Sequence, residues 1–153
     1  MGSSNAQTQL RSVPAMEPAT TTDVKLTLPA RPENVSVIRH VLGAFAEALR
    51  LPDELVEDLR LAVTEACTNV VRHAYPPEVP GPVEISIVPT DEHVSVIVAD
   101  YGRGIGSSSD TTGPGLGLPL IAAIADEVEL RPVLGGGSRV SMTFSRHRRG
   151  DAA

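Results

Sequence analysis

An α/β two-layer sandwich, with a mixed, mostly antiparallel sheet and helices on one face, is the fold class this sequence predicts. Three patterns carry the prediction. Short runs alternate apolar and polar residues, as half-buried strands do; two longer stretches repeat apolar residues at helical spacing; and two pairs of strands are joined by short turns, which makes the sheet mostly antiparallel.

The elements follow in order. Val24, Leu26 and Leu28 alternate with polar residues and predict a strand ending at Pro29. Val35, Ile38, Val41, Leu42, Phe45 and Leu49 then recur at helical spacing, with Pro32 in a first turn that tolerates it. Leu51-Pro52-Asp53 breaks that period. A second helix is expected from about Pro52 to His73, with Leu55, Leu59, Ala62, Val63, Ala66 and Val70 as its buried stripe. The prolines at 76, 77, 80 and 82 end it.

Val83, Ile85 and Ile87 alternate next, as do Val94, Val96 and Val98, and the turn between them makes a hairpin closed by Asp100. Ile105 to Pro114 reads as a short lid of Gly, Ser, Thr and Asp. Leu120, Ile121, Ile124 and Ala125 mark a third helix, and Val128 to Val133 and Arg139 to Phe144 read as strands paired across Gly135-Gly136-Gly137. Residues 1–22 read as a disordered leader, 23–145 as one domain and 146–153 as a basic tail.

Composition narrows the function. At 153 residues the chain suits one domain with a real core, and with 3% aromatic residues that core must be aliphatic. The single cysteine, Cys67, excludes an internal disulfide and fits a reducing compartment, so a cytoplasmic location is expected. No run approaches the roughly 20 apolar residues of a membrane span, and the N-terminus lacks a signal-peptide pattern. A formal net charge of −6 disfavours nonspecific nucleic-acid binding.

Three fragments carry the chemistry. Glu65 and Asn69 stand four residues apart on the second helix, so an acid and an amide project from one face. Asp100 follows a strand and precedes Gly102 and Gly104. Gly115 and Gly117 open a helix, where free backbone N–H groups and the positive end of the helix dipole can hold a phosphate. Taken singly, each has an ordinary reading: a solvated acid at a helix rim, a surface amide, a strand-ending aspartate, a flexible turn. Together they supply what magnesium, a base and phosphates need. Arg103 reads equally as a phosphate contact or a solvent-facing charge. The four histidines and one cysteine show no metal-ligand spacing, so His73 reads as a helix-end residue and Cys67 as a small buried one.

In this order the fragments resemble the N, G1 and G2 boxes of the GHKL ATPases, whose sandwich is the Bergerat-type ATP-binding fold. The runs EACTNVVRHAY, from Glu65 to Tyr75, and GLGLPLIAAIADEVE, from Gly115 to Glu129, are similar to the branch of serine/threonine kinases that act as bacterial anti-sigma factors. The resemblance implies that Glu65 is the general base, Asn69 the magnesium ligand and Asp100 the acceptor for the exocyclic amine of adenine. It further implies that Gly102 and Gly104 let the backbone approach the base and that Gly115 and Gly117 cradle phosphate. Ser138 stands where the family often carries an adenine-binding threonine, and keeps the hydroxyl.

The implied cofactors are ATP and Mg²⁺. The implied partners are a sigma factor, which the protein would sequester, an anti-anti-sigma factor, which it would phosphorylate, and a second copy in a homodimer. A nucleotide-gated anti-sigma binding module with little or no kinase activity is the alternative. An autonomous ATP hydrolase is a third reading. A sensor histidine kinase is disfavoured, because no helical domain presenting a phosphorylated histidine fits before the first strand, and His40 lies on the first helix of the fold itself.

Overall fold

The computed structural model describes residues 23–103 and 117–147. Its elements run β1 (Val24–Pro29), α1 (Pro32–Ala48), α2 (Asp53–His73), β2 (Pro82–Pro89), β3 (His93–Asp100), α3 (Gly117–Ile124), β4 (Glu127–Pro132) and β5 (Ser138–Ser145). The strands form one sheet in the order β1-β2-β3-β5-β4, antiparallel at every pairing. The sandwich expected from the sequence is the one observed. The expected leader, the lid, Gly104, Gly115 and all of the tail beyond His147 lie outside the described residues.

Local chemistry explains the element ends. Pro32 occupies the first turn of α1, where its missing N–H is no loss. The helix ends in a Schellman turn: Arg50 N–H donates to the Glu47 carbonyl at 3.1 Å and Leu51 N–H to the Ala46 carbonyl at 3.0 Å. Arg50 takes the left-handed φ of 52° that this turn requires. The sharp reversal buries Leu51 and brings α2 back against α1. Asp53 and Glu54 at the start of α2, and Arg72 and His73 at its end, complement the helix dipole.

Register then decides which side chains become core. Val83, Ile85 and Ile87 of β2 face Asp100, Val98 and Val96 of β3, and Val98, Val96 and Val94 face Val140, Met142 and Phe144 of β5. These residues share one sheet face, and most of them are buried. Helix α2 packs on that face, and α1 and α3 pack beside α2. The whole predicted stripe of α2 is buried. Each fully buried valine or leucine contributes roughly 1.5–3 kcal/mol relative to exposure, so this layer is the main source of stability. The opposite face carries Ser86, Ser95, Ala99, Ser141 and Thr143, none of them buried. At the far end of the sheet, Arg146 holds the turn between β2 and β3 through its guanidinium, which donates to the Thr90 carbonyl at 2.7 Å.

Cys67 lies wholly inside the α2 layer. Burial pushes its thiol up to about 12 from an ordinary 9.0. A raised thiol pKa stabilises the fold fully below the unfolded value, and that stabilisation is lost as pH rises toward the folded one. Wild-type protein should therefore lose more unfolding free energy than Cys67→Ala between pH 9 and pH 12, by up to ~4 kcal/mol. Denaturant melts of both proteins across that range check it, and parallel pH curves would refute it.

Candidate functional site

Helix α2 sets the first part of the site. Glu65 and Asn69 sit one turn apart at the border of the buried stripe, both half-buried between Ala62, Ala66, Cys67 and Val70 and solvent. Among the described residues neither side chain has a hydrogen-bond partner. Both therefore keep donors or acceptors for something else. Asn69 lies five residues before Ala74, about 7.5 Å along the helix axis.

Ala74 is where α2 meets the second part. Its carbonyl accepts the Arg103 N–H at 2.9 Å and presses so closely on Gly102 that any side-chain carbon at 102 would collide with it. The chain after β3 is thus laid directly across the end of α2. Glycine at 102 is required by that approach.

Asp100 is the last residue of β3 and only 3% exposed. Its Oδ1 accepts the Gly102 N–H at 3.0 Å, and its Oδ2 accepts the Ser138 hydroxyl at 2.6 Å. A carboxylate offers about four lone-pair directions, so acceptor capacity remains after these two bonds. Ser138 is the residue paired with Asp100 in the ladder between β3 and β5, which puts the two side chains on the same face. The turn before Ser138 closes the site from the other side. Gly137 has φ +105°, and a side-chain carbon there would strike the Asp100 carbonyl.

Both tyrosines of the chain border this point. The Tyr75 hydroxyl accepts the Tyr101 N–H at 2.8 Å and donates to the Pro82 carbonyl at 2.6 Å. The Tyr101 hydroxyl donates to Glu84 Oε2 at 2.8 Å, which raises its pKa.

The fold thus joins Asp100 to Gly102 and to Ser138 by direct contact, and sets Glu65 and Asn69 on the helix whose end Gly102 touches. Gly117 begins α3, which packs on α2, and Pro119 lies in the first turn as expected. His73 is exposed at the end of α2. Sequence reasoning gave no role to Tyr75, Ala74 or Gly137. Gly137 was read only as part of a turn, since its contact with the Asp100 carbonyl depends on a strand distant in the sequence.

The fold thus sets a buried acid at a strand end and an acid–amide pair on the adjacent helix within one open antiparallel sheet with helices on one face. Residues 28–144 match the family model described as the histidine kinase-like ATPase domain, and the chain belongs to that family. Membership implies the use of ATP. The chain is 34% identical over 135 residues to a protein named serine-protein kinase RsbW from Bacillus licheniformis, covering 78% of this chain and 83% of the relative. It is 32% identical over 143 residues to serine-protein kinase RsbW from Bacillus subtilis strain 168, covering 84% and 87%. Among solved structures, the RsbU and RsbW domains of Rv1364c from Mycobacterium tuberculosis superpose with a TM-score of 0.65 at 22% identity, covering 84% of this chain and 34% of that longer one. The SiaB-SiaC complex from Pseudomonas aeruginosa gives 0.58 at 17% identity, covering 80% and 89%. The structural likenesses bear on the fold alone.

Proposed function

We propose that this chain is an ATP-dependent protein serine/threonine kinase that acts as an anti-sigma factor. It phosphorylates an anti-anti-sigma partner and, when free of that partner, sequesters a sigma factor. The observation that carries the reading is the buried Asp100, bonded to Ser138 and to Gly102, which itself lies against the end of the helix bearing Glu65 and Asn69. Similarity to serine-protein kinases over about four-fifths of the chain supports the phosphotransfer.

In this reading Asp100 accepts a hydrogen bond from the exocyclic amine of adenine with its remaining lone pairs. Guanine would present a carbonyl there, and two acceptors would face each other. Ser138 holds the carboxylate in place and offers its oxygen to the base. Gly102 and Gly104 bring the backbone close to the base, and the start of α3 at Gly117, with Gly115 before it, receives phosphate. Glu65 takes the proton of the partner's hydroxyl as its oxygen attacks the γ-phosphorus. The bond from the γ-phosphorus to its bridging oxygen breaks, ADP leaves, and Glu65 returns its proton to solvent.

The amide oxygen of Asn69 is a hard donor suited to Mg²⁺. Among the described residues no three His, Cys, Asp or Glu side chains converge as a metal cage, so the ion's other donors would be phosphate oxygens and water. Bound there, Mg²⁺ would neutralise phosphate charge. Asn69→Ala should weaken ATP binding about tenfold with magnesium present and hardly at all in a chelator. Calorimetric titration under both conditions checks this, and equal losses would remove Asn69 from the metal site.

The added charge of a phosphoryl group would release the partner and free the kinase for the sigma factor. We place the protein in the cytoplasm, as a homodimer. No helix among the described residues is long and apolar enough to cross a membrane. The deciding experiment incubates the protein with magnesium, labelled ATP and candidate anti-anti-sigma proteins. Label on a partner serine or threonine supports the kinase. ATP-dependent partner binding without label would favour the nucleotide-gated module, and partner-independent turnover the hydrolase.

A further inference from the structure

Tyr75 stands two residues beyond α2, outside the acid–amide pair and both glycine boxes, yet its hydroxyl makes two bonds at the point where the nucleotide reading needs most precision. It donates to the carbonyl of Pro82, the first residue of β2, and accepts from the N–H of Tyr101, the first residue after β3. Val83 and Asp100 form the last ladder pair between those two strands at this end. One hydroxyl therefore ties together two strand ends one residue past the pair that contains the acid.

The surroundings fix the phenol in turn. Its ring lies against Gly81, where a side-chain carbon would collide with it. Beyond Tyr101 the chain is held again, by Gly102 N–H on Asp100 Oδ1 and by Arg103 N–H on the Ala74 carbonyl. The side chain of Tyr101 is fastened as well, its hydroxyl donating to Glu84. Three successive N–H groups, of Tyr101, Gly102 and Arg103, are thus held, and Tyr75 supplies the partner for the one in the peptide joining Asp100 to Tyr101. Only a group that donates and accepts at once can do this, which phenylalanine cannot. Burial raises the phenol's pKa, the Tyr101 N–H opposes the rise and the Asp100 and Glu84 carboxylates add to it. The hydroxyl accordingly keeps its proton at neutral pH.

We infer that Tyr75 is a positioning residue for base selection: its hydroxyl holds the peptide after Asp100 and so aims the carboxylate at the adenine amine. The inference rests on the nucleotide reading given above. Discrimination between an amine and a carbonyl depends on the direction of the acceptor, and a loosened peptide lets the carboxylate turn away from either base. Loss of the hydroxyl should then cost ATP more than GTP. A tyrosine that merely adds stability would leave that ratio alone.

The test compares wild type with Tyr75→Phe in three measurements: thermal unfolding, amide hydrogen exchange at Tyr101, and dissociation constants for ATP and GTP. The expected result is a folded variant with faster Tyr101 exchange and an ATP-to-GTP preference reduced about three- to tenfold, the usual range for one lost hydrogen bond. An unchanged preference, with wild type binding ATP, overturns the inference and leaves the nucleotide reading standing. Failure of wild type to bind ATP overturns both. Should Tyr75→Phe not fold, exchange in wild type decides: a Tyr101 amide exchanging as fast as an open loop would overturn the inference, and a protected one would support it.

Discussion

Glu65→Gln should bind ATP with wild-type affinity and lose at least about a hundredfold in the rate of phosphotransfer, the lower end of what a positioned general base contributes. The substitution keeps size and shape at a half-buried position with no described hydrogen-bond partner to lose. It removes one property, the capacity to take a proton. Binding should survive, because the base, the phosphates and the ion are assigned to Asp100, Gly117 and Asn69. Single-turnover transfer to the partner, measured beside equilibrium ATP binding, separates the two. Equal transfer by the variant would remove Glu65 from the chemistry, and a parallel loss of binding would recast it as a ligand contact.

Asp100→Asn should weaken ATP binding by at least about tenfold while the protein stays folded. Both carboxylate oxygens act as acceptors, from Gly102 N–H and from the Ser138 hydroxyl. An asparagine can turn its oxygen to Gly102 and its NH₂ to Ser138, whose hydroxyl accepts as readily as it donates. The buried contacts are therefore preserved, whereas the acceptor surface left for an incoming amine is halved. Asp100→Ala would be a poorer probe, since it leaves Gly102 and Ser138 without their partner in a nearly closed site. Unfolding curves together with ATP and GTP affinities check the prediction. Wild-type ATP affinity in a folded Asp100→Asn protein would end the adenine assignment.

The elements themselves were legible because their signals are local. The stripe from Leu55 to Val70 repeats every three or four residues, and every member is buried in α2. The alternation of Val94, Val96 and Val98 placed β3 and its end at Asp100. In α3 the pattern blurred: Leu120 was expected on the apolar face and is half-buried, while Leu118, nearer the glycines, packs on the core. An eight-residue helix offers too few turns for periodicity to choose between them.

The site was legible as chemistry but not as contact. Residue types and spacing determined that an acid–amide pair shares a helix face, that an acid ends a strand and that glycines flank it, because helix and strand geometry are set by the backbone alone. That Asp100 meets Ser138, that Gly102 lies under the Ala74 carbonyl and that the Tyr75 phenol holds Tyr101 are matters of sheet order and of the path α2 takes across it. Such contacts join segments tens of residues apart, and no local pattern encodes them. They arise only when strand register and helix packing bring those segments within hydrogen-bonding distance.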